Sequence, residues 1–392
     1  MVVILGPDQL SVQAGFGAHP HRVNIVDLGQ GCATHSYRAM RTRSVGRREK
    51  DMDRRPVVAV TGASAGVGRA TAVAFARHGF DVALLARGDA GLDAAAGEVR
   101  ASGGQALRLA VDASVFEEVD GAASQIEDEL GPIDVWVNDA MTTVFAPIWD
   151  VKPQDFQRAV EVTFFGQVWG TMVALKRMRP RDCGTIVNVG SALAFIGIPL
   201  QSAYCSSKFA CLGFFESVRA ELLRERSHVR MSMVHLPAVN TPQFDWCETT
   251  FDHHPQPVPP IYQPEVAAKF IVQAGLDGRR TKVVGSWNKV LVAFGRMFPG
   301  LGNQYAALSA WDAQLTSWPE SRKRPVNLYK PADEESDRGA HGSFDERAGG
   351  FLDPSFLKTL PDVARTLATA VSRTTVEKGR GYFAVAGAKT RR

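Results

Sequence analysis

The chain has 392 residues, of which 45% are hydrophobic and 22% are charged, and its formal net charge is +4. This composition allows a sizeable core and excludes both a collagen-like chain and a chain that is disordered throughout. Residues 1–55 carry the whole positive surplus, so the remainder is electrically neutral and nucleic acid is not an expected partner.

The cysteines indicate a reducing compartment. There are five, an odd number, and no two of them form a C-x-x-C pair, so neither a zinc site nor a disulfide framework is expected. No stretch approaches the roughly 18–20 apolar residues of a membrane span, and residues 1–6 are too short for a signal-peptide core. We therefore expect a cytoplasmic protein with no bound metal and no transmembrane segment.

Residues 1–55 show no sustained periodicity and are predicted to form a basic, poorly ordered extension. From residue 56 to residue 287, short apolar runs alternate with amphipathic stretches of helical length. The predicted strands are 57–60, 81–85, 106–111, 133–137, 185–189, 229–234 and 282–284, and the predicted helices are 66–78, 89–101, 115–130, 153–178 and 202–225. This alternation predicts an α/β domain, a doubly wound, seven-stranded parallel sheet of Rossmann-like type.

Residues 288–392 form a separate C-terminal extension in this interpretation. Helices are predicted within 288–315, irregular chain over 316–352, and helix again over 353–378. The apolar faces of the first helices can cover the open end of the sheet, meet a second subunit, or lie on a membrane surface. We favour the first, because the segment directly follows the last strand and needs no long linker to fold back. Basic residues are few here, which makes the membrane surface the weakest alternative and leaves a homo-oligomer as the second.

A glycine-rich turn joins the first predicted strand to the first predicted helix. Its spacing, T-G-x-x-x-G-x-G from Thr61 to Gly68, lets the backbone turn sharply and brings its N–H groups against a phosphate. In this strand-turn-helix context, the turn predicts dinucleotide binding.

With this turn, the sequence resembles the short-chain dehydrogenase/reductase family over roughly residues 56–287. Further family motifs follow in order: Asp112 after the third strand, Asn138-Asp139-Ala140 after the fourth, and Pro237 to Thr241 after the sixth. Asp139 and Met141 depart from the usual Asn-Asn-Ala-Gly. The predicted cofactor-binding residues are Gly62, Ser64, Ala65, Gly66, Val67, Gly68, Arg87, Asp112, Asn138, Ala140, Tyr204, Lys208, Pro237, Val239 and Thr241.

Ser191, Tyr204 and Lys208 match the catalytic serine, tyrosine and lysine of the family. Residues four apart on a helix share a face, and a nearby ammonium favours the phenolate of a tyrosine whose ordinary pKa is about 10. Tyr204 is therefore the expected general acid or base and Ser191 the hydrogen-bond partner of the substrate oxygen. The resemblance implies an asparagine as the fourth catalytic residue, where this chain has Thr163.

Arg87 follows the second strand and predicts NADP as the cofactor, with NAD less expected, because an arginine suits a 2′-phosphate and no acid is next to it in the sequence. Leu193, Phe195, Phe244 and Trp246 are the predicted substrate-pocket residues, although the aromatic residues could equally pack the loop.

The sequence thus predicts an NADP(H)-dependent oxidoreductase that interconverts a carbonyl and an alcohol on an apolar, fairly bulky ketone or alcohol. Thr163, Asp139 and the long C-terminal extension leave one alternative open, a catalytically silent NADP-binding sensor or scaffold.

Overall fold

The computed structural model describes residues 54–321 and 323–349. The helix predicted over 353–378 lies outside the described residues, and so does the predicted N-terminal extension apart from its last two positions.

Seven parallel strands form the central sheet, as the sequence predicts. They are β1 (Val57–Thr61), β2 (Asp81–Ala86), β3 (Ala106–Ala110), β4 (Ile133–Asn138), β5 (Thr185–Ser191), β6 (Arg230–Leu236) and β7 (Thr281–Val283). Their spatial order is β7-β6-β5-β4-β1-β2-β3. Every residue of β1, β2 and β5 is buried, because helices cover both faces of the sheet.

The chain reverses its direction of travel across the sheet between β1 and β4. After β1 it proceeds outward to β2 and β3, and β4 then returns to the other side of β1 and is followed outward by β5. At such a switch point, the loops after the two central strands separate and leave a crevice at their carboxyl ends. The fold therefore fixes where a ligand site can form.

The first five predicted helical segments agree closely with the structure, whereas helix Pro264–Asp277 was not predicted and the segment predicted to be helical up to 315 is broken into shorter helical turns after Tyr305. The helices are α1 (Gly66–Arg77), α2 (Asp89–Ala101), α3 (Phe116–Glu129), α4 (Pro153–Val160), α5 (Gly166–Met178), α6 (Ser202–Arg224), α7 (Pro264–Asp277), α8 (Ser286–Met297) and α9 (Pro299–Tyr305). A π-helical turn, Glu161–Phe165, joins α4 to α5, so the predicted helix 153–178 is one helical path with a widened turn.

The main core lies between the sheet and helices α3, α5 and α6. Trp136, Met178, Ile186 and Phe215 are fully buried there. Burying a large apolar side chain contributes about 1.5–3 kcal/mol, so this layer supplies much of the driving force for the fold.

The chain after α9 folds back over the carboxyl ends of the strands. Strand Leu315–Pro319, within a region predicted to be irregular or helical, pairs antiparallel with His253–Pro255. Ile261–Tyr262 pairs in parallel with both Ala238–Val239 and Ala348–Gly349. Residues 325–345, which we call the C-terminal strap, lie between these pairings. No helix in the described ranges is long and apolar enough to cross a membrane.

Candidate active site

The glycine-rich turn has the backbone geometry that its sequence predicts. Gly62 and Gly66 have φ angles of +72° and +58°, in the left-handed region that disfavours other residues. A Cβ atom on Gly68 would overlap the carbonyl oxygen of Gly62, so this close approach requires glycine. Helix α1 begins without a side-chain cap, which leaves the positive end of a helix facing the crevice.

The crevice encloses a cavity of about 500 Å³. Most of the residues predicted to bind a cofactor line it. They are Gly62, Ser64, Ala65, Gly66, Val67, Arg87, Asp112, Ala140, Tyr204, Lys208, Pro237, Val239 and Thr241.

Gly68 and Asn138 lie behind the cavity wall and support it. The Asn138 amide nitrogen donates to Thr171 Oγ1 at 3.0 Å and to Asn188 Oδ1 at 2.8 Å, and its oxygen accepts from the Trp136 indole at 2.8 Å. These hydrogen bonds tie β4 to β5 and α5. The part that Asn138 plays is therefore to hold the central strands in place below the site.

Ser191, Tyr204 and Lys208 converge on the cavity from the end of β5 and the first turns of α6. The Ser191 side chain accepts from the Leu193 backbone N–H at 3.1 Å and lies near the Tyr204 side chain. Lys208 is 3% exposed, and its Nζ donates to the Val189 carbonyl at 2.8 Å. The three side chains thus occupy one site, with the lysine charge held beneath the tyrosine ring.

The pKa of Tyr204 is raised above its ordinary value in this structure. Burial is the largest cause, while the Lys208 charge and the nearby Ser191 side chain both act in the opposite direction. Lys208 therefore favours the phenolate, as the sequence predicts, but here its effect is smaller than that of burial.

Thr163 lies in the π-helical turn, 1% exposed and outside the cavity lining. Its hydroxyl donates to the Thr142 carbonyl at 2.8 Å and accepts from the Thr142 N–H at 3.0 Å. Both hydrogen bonds fasten the loop after β4 to the helix. The catalytic role of Thr163 stays a prediction.

Asp139 lines the cavity between the glycine-rich turn and Lys208. Burial raises its pKa to about 7, although the Lys208 charge and a hydrogen bond from the Gly68 N–H lower it. Asp139 is thus a carboxyl group with a pKa near neutral pH. It stands where the family that the sequence resembles has an asparagine, which cannot titrate.

The C-terminal strap closes the end of the cavity at β2 and β3. Both terminal nitrogens of Arg87 donate to strap oxygens, and Asn327 and Asp333 of the strap line the cavity. Asp112 accepts from the N–H and hydroxyl of Ser114 and pairs with Arg158, and these contacts outweigh burial and hold its pKa below its usual range. Sequence reasoning missed Asp333 because no motif links it to Arg87.

The other end of the cavity is apolar. Of the predicted pocket residues, Leu193, Phe244 and Trp246 line the cavity, but Trp246 packs against Ala65 of the glycine-rich turn and Ala332 of the strap, on the cofactor side. Phe195 is not in the lining; its ring packs edge-on against His235, with centroids 4.7 Å apart. Sequence reasoning missed several lining residues of this end, including Phe145, Ile198, Leu291, Ala306 and Ala310.

The residues present fit a nicotinamide dinucleotide. The glycine turn forms a cradle that side chains would fill, the uncapped helix end suits a pyrophosphate, and carboxylates at the β2–β3 end can accept hydrogen bonds from a ribose. Tyr204 lines the same cavity as the apolar residues of the other end, so an apolar molecule bound among them would lie near its hydroxyl.

Comparison with known proteins agrees with this geometry. A family described as short chain dehydrogenase matches residues 56–248. An uncharacterized oxidoreductase of Bacillus subtilis, YxnA, is 31% identical over 287 residues, 73% of this chain and 81% of the relative.

Two named enzymes are also similar to the chain. Mouse estradiol 17-beta-dehydrogenase 11 is 30% identical over 62% of the chain and 80% of its own length. The 3-dehydrosphinganine reductase of Danio rerio is 29% identical over 58% of the chain and 70% of its own length. From the parallel sheet, the glycine-rich turn and these relatives, the chain belongs to the short-chain dehydrogenase family and is an oxidoreductase that uses NAD or NADP.

Proposed function

We propose that the protein interconverts an alcohol and a carbonyl on an apolar, fairly bulky small molecule. The observation that carries the proposal is that Ser191, Tyr204 and Lys208 line one cavity together with the glycine-rich turn and with a group of apolar side chains. We call the apolar part of this cavity the substrate chamber. An acid, a hydrogen-bond partner for oxygen and a fixed positive charge are the groups that reversible carbonyl reduction needs.

The cofactor would be held by the glycine-rich turn at its pyrophosphate and by Asp112 at its adenine. When bound, it supplies or accepts the hydride. Lys208 is buried beside Tyr204 and would reach the ribose on the nicotinamide side while its Nζ keeps the contact with Val189 O.

Tyr204 would transfer the proton at the substrate oxygen, giving it during reduction and taking it during oxidation. Ser191 would form a hydrogen bond with the same oxygen, where negative charge develops during reduction. The Lys208 ammonium stabilises the phenolate that remains after Tyr204 gives up its proton. Burial of the site excludes water, which strengthens all three interactions.

The substrate chamber supports the proposed substrate class. Leu193, Phe244, Leu291 and Ala310 line it, and they come from the loop after β5, the loop after β6, and the helical region after β7. Such a lining binds by apolar contact and orients the substrate through few polar groups. Two relatives are named for estradiol and for 3-dehydrosphinganine, and both names are compatible with a bulky apolar substrate here.

Two neighbouring residues support different cofactors. Arg87 by itself favours NADP, as the sequence predicts. Asp333, which reaches Arg87 only through the folded strap, favours NAD because a carboxylate repels a phosphate.

The test is consumption of NADH and NADPH by the full chain with a panel of apolar ketones of increasing size. Turnover should rise with apolar bulk until the chamber is filled, and Tyr204→Phe should abolish it. Absence of turnover with every ketone, and of the reverse reaction with the matching alcohols, would contradict the proposal.

A further inference from the structure

Asp333 lies in the wall of the cofactor end of the cavity, and its carboxylate is buried. Asp333 is 3% exposed and lines the cavity together with Arg87 and Asn327. Among the described residues, its Oδ2 atom has no hydrogen-bond partner. A buried carboxylate oxygen without a partner is costly, so this atom indicates a missing donor.

The strap holds Asp333 in place through its backbone. The Asp333 carbonyl accepts from the Gly91 N–H at 3.1 Å, and the Glu334 carbonyl accepts from the Ala90 N–H at 3.2 Å. A Cβ atom on Gly88 or Gly91 would overlap the Asp333 carboxylate, so these two glycines provide its space. Main-chain contacts with the start of α2 thus fix the strap at Asp333, and the carboxylate lies against Gly88 and Gly91 at the edge of the cavity.

Arg87 has few donors left for a phosphate. One terminal nitrogen donates to the Leu328 and Tyr329 carbonyls at 3.3 and 3.1 Å, and the other donates to the Asn327 carbonyl and Oδ1 at 2.6 and 3.0 Å. A guanidinium has five N–H groups, and these bonds occupy the four terminal ones. Bidentate capture of a 2′-phosphate would require Arg87 to release the strap.

The charges at this end of the cavity are balanced. Arg158, the second cation, pairs with Asp112 and donates to Ser114 Oγ and the Leu328 carbonyl. Asp333 lies close enough to Arg87 for their charges to interact. Two cations therefore face two carboxylates, which leaves no surplus positive charge for a phosphate dianion but provides acceptors for hydroxyl groups.

We infer that Asp333 of the C-terminal strap selects the cofactor: its carboxylate accepts a hydrogen bond from the adenosine ribose, repels a 2′-phosphate, and makes NAD the preferred cofactor. The inference rests on the proposed function, because it assumes that the cavity binds a nicotinamide dinucleotide. In many dinucleotide-binding folds, an acid near the end of the second strand performs this task. Here Arg87 stands at the end of the second strand, and the acid is Asp333, which the C-terminal strap places beside it.

The test measures dissociation constants of NADH and NADPH by fluorescence titration for the full chain. The wild type should bind NADH more tightly. Asp333→Asn keeps the size of the side chain and removes its charge, so it should shift the affinity ratio toward NADPH by about tenfold or more.

Glu334→Gln is the matched control. Glu334 is adjacent on the strap, and its carboxylate accepts from the Asp89 N–H at 3.4 Å, but it is exposed and does not line the cavity. The change in net charge is the same, so an unchanged ratio in this variant shows that the effect of Asp333 is local. Equal losses of both cofactors in Asp333→Asn would assign the residue to strap structure only and overturn the inference.

A second measurement needs no variant. 5′-AMP and adenosine 2′,5′-bisphosphate differ only by the 2′-phosphate, and the wild-type protein should bind 5′-AMP more tightly. Tighter binding of the bisphosphate would overturn the inference while leaving the proposed function intact. Failure to bind either nucleotide or either dinucleotide would overturn both.

Discussion

The Nζ atom of Lys208 lies 5.6 Å from the centre of the Tyr204 ring. The same nitrogen donates to the Val189 carbonyl on β5, so the ammonium is fixed relative to both the sheet and the tyrosine. A buried charge in this position favours the phenolate against the opposing effect of burial. The proton-transfer role of Tyr204 therefore depends on a lysine that the central strand holds in place.

Tyr204→Phe removes the ionisable hydroxyl and keeps the ring. Turnover should fall by at least about a hundredfold, because general acid–base catalysis contributes that much or more. Cofactor affinity should stay near that of the wild type. Steady-state kinetics and fluorescence titration measure the two effects separately.

Tyr262→Phe is the control for this change, since Tyr262 also lines the cavity and loses the same group. It should retain most of the turnover. Comparable losses in both variants would show that Tyr204 is not the specific proton donor.

Thr163→Val keeps the shape of the side chain and removes its hydroxyl. The buried N–H and carbonyl of Thr142 would lose their partner, so the free energy of unfolding should fall by about 1–3 kcal/mol. Urea denaturation measures the loss, and Thr163→Ser should restore stability. Wild-type stability combined with lost turnover would instead assign the hydroxyl to the proton relay.

Asp139→Asn should change how stability depends on pH. The pKa of Asp139 is about 7 in the folded protein, against about 3.9 in an unfolded chain. Between these values, the folded state holds a proton that the unfolded state has lost, so stability falls as the pH rises from about 4 to 7. The wild type should lose at least about 1 kcal/mol more than the variant over this range.

Asp112→Asn provides the opposite case for the same measurement. The folded-state pKa of Asp112 is lowered, so its contribution to stability is present above about pH 4 and is lost as the pH falls through the lowered value. Parallel pH profiles for the wild type and Asp139→Asn would contradict the assignment of a raised pKa to Asp139.

Leu291→Ala tests the part that the helical region after β7 plays in substrate binding. Leu291 of α8 lines the cavity, so its truncation should raise KM for a bulky apolar substrate by about tenfold and for a small one much less. Cofactor affinity should not change. Val290→Ala, at the neighbouring position that is 50% exposed, should leave both KM values near wild type.

The sequence by itself determined the sheet, its flanking helices apart from α7, the glycine-rich turn and the grouping of Ser191, Tyr204 and Lys208. These features are local: apolar runs and helical periodicity report burial directly, and the four-residue spacing of Tyr204 and Lys208 sets a common helix face. The strand ends and the turn follow one another in the chain, so the fold family was recognisable before any contact was known.

The tertiary structure alone brought Asp333 beside Arg87 and Leu291 into the substrate chamber. The buried apolar residues of the strap, among them Leu328 and Phe344, are too widely spaced to show a helical or strand period that would reveal its path, and hydrogen bonds and a charged pair hold the chain between them. Local sequence also could not decide that the Phe195 ring packs on His235, or that the Thr163 hydroxyl both donates to and accepts from Thr142. Each of these facts depends on a partner that is distant in the chain, and only folding determines which distant groups meet.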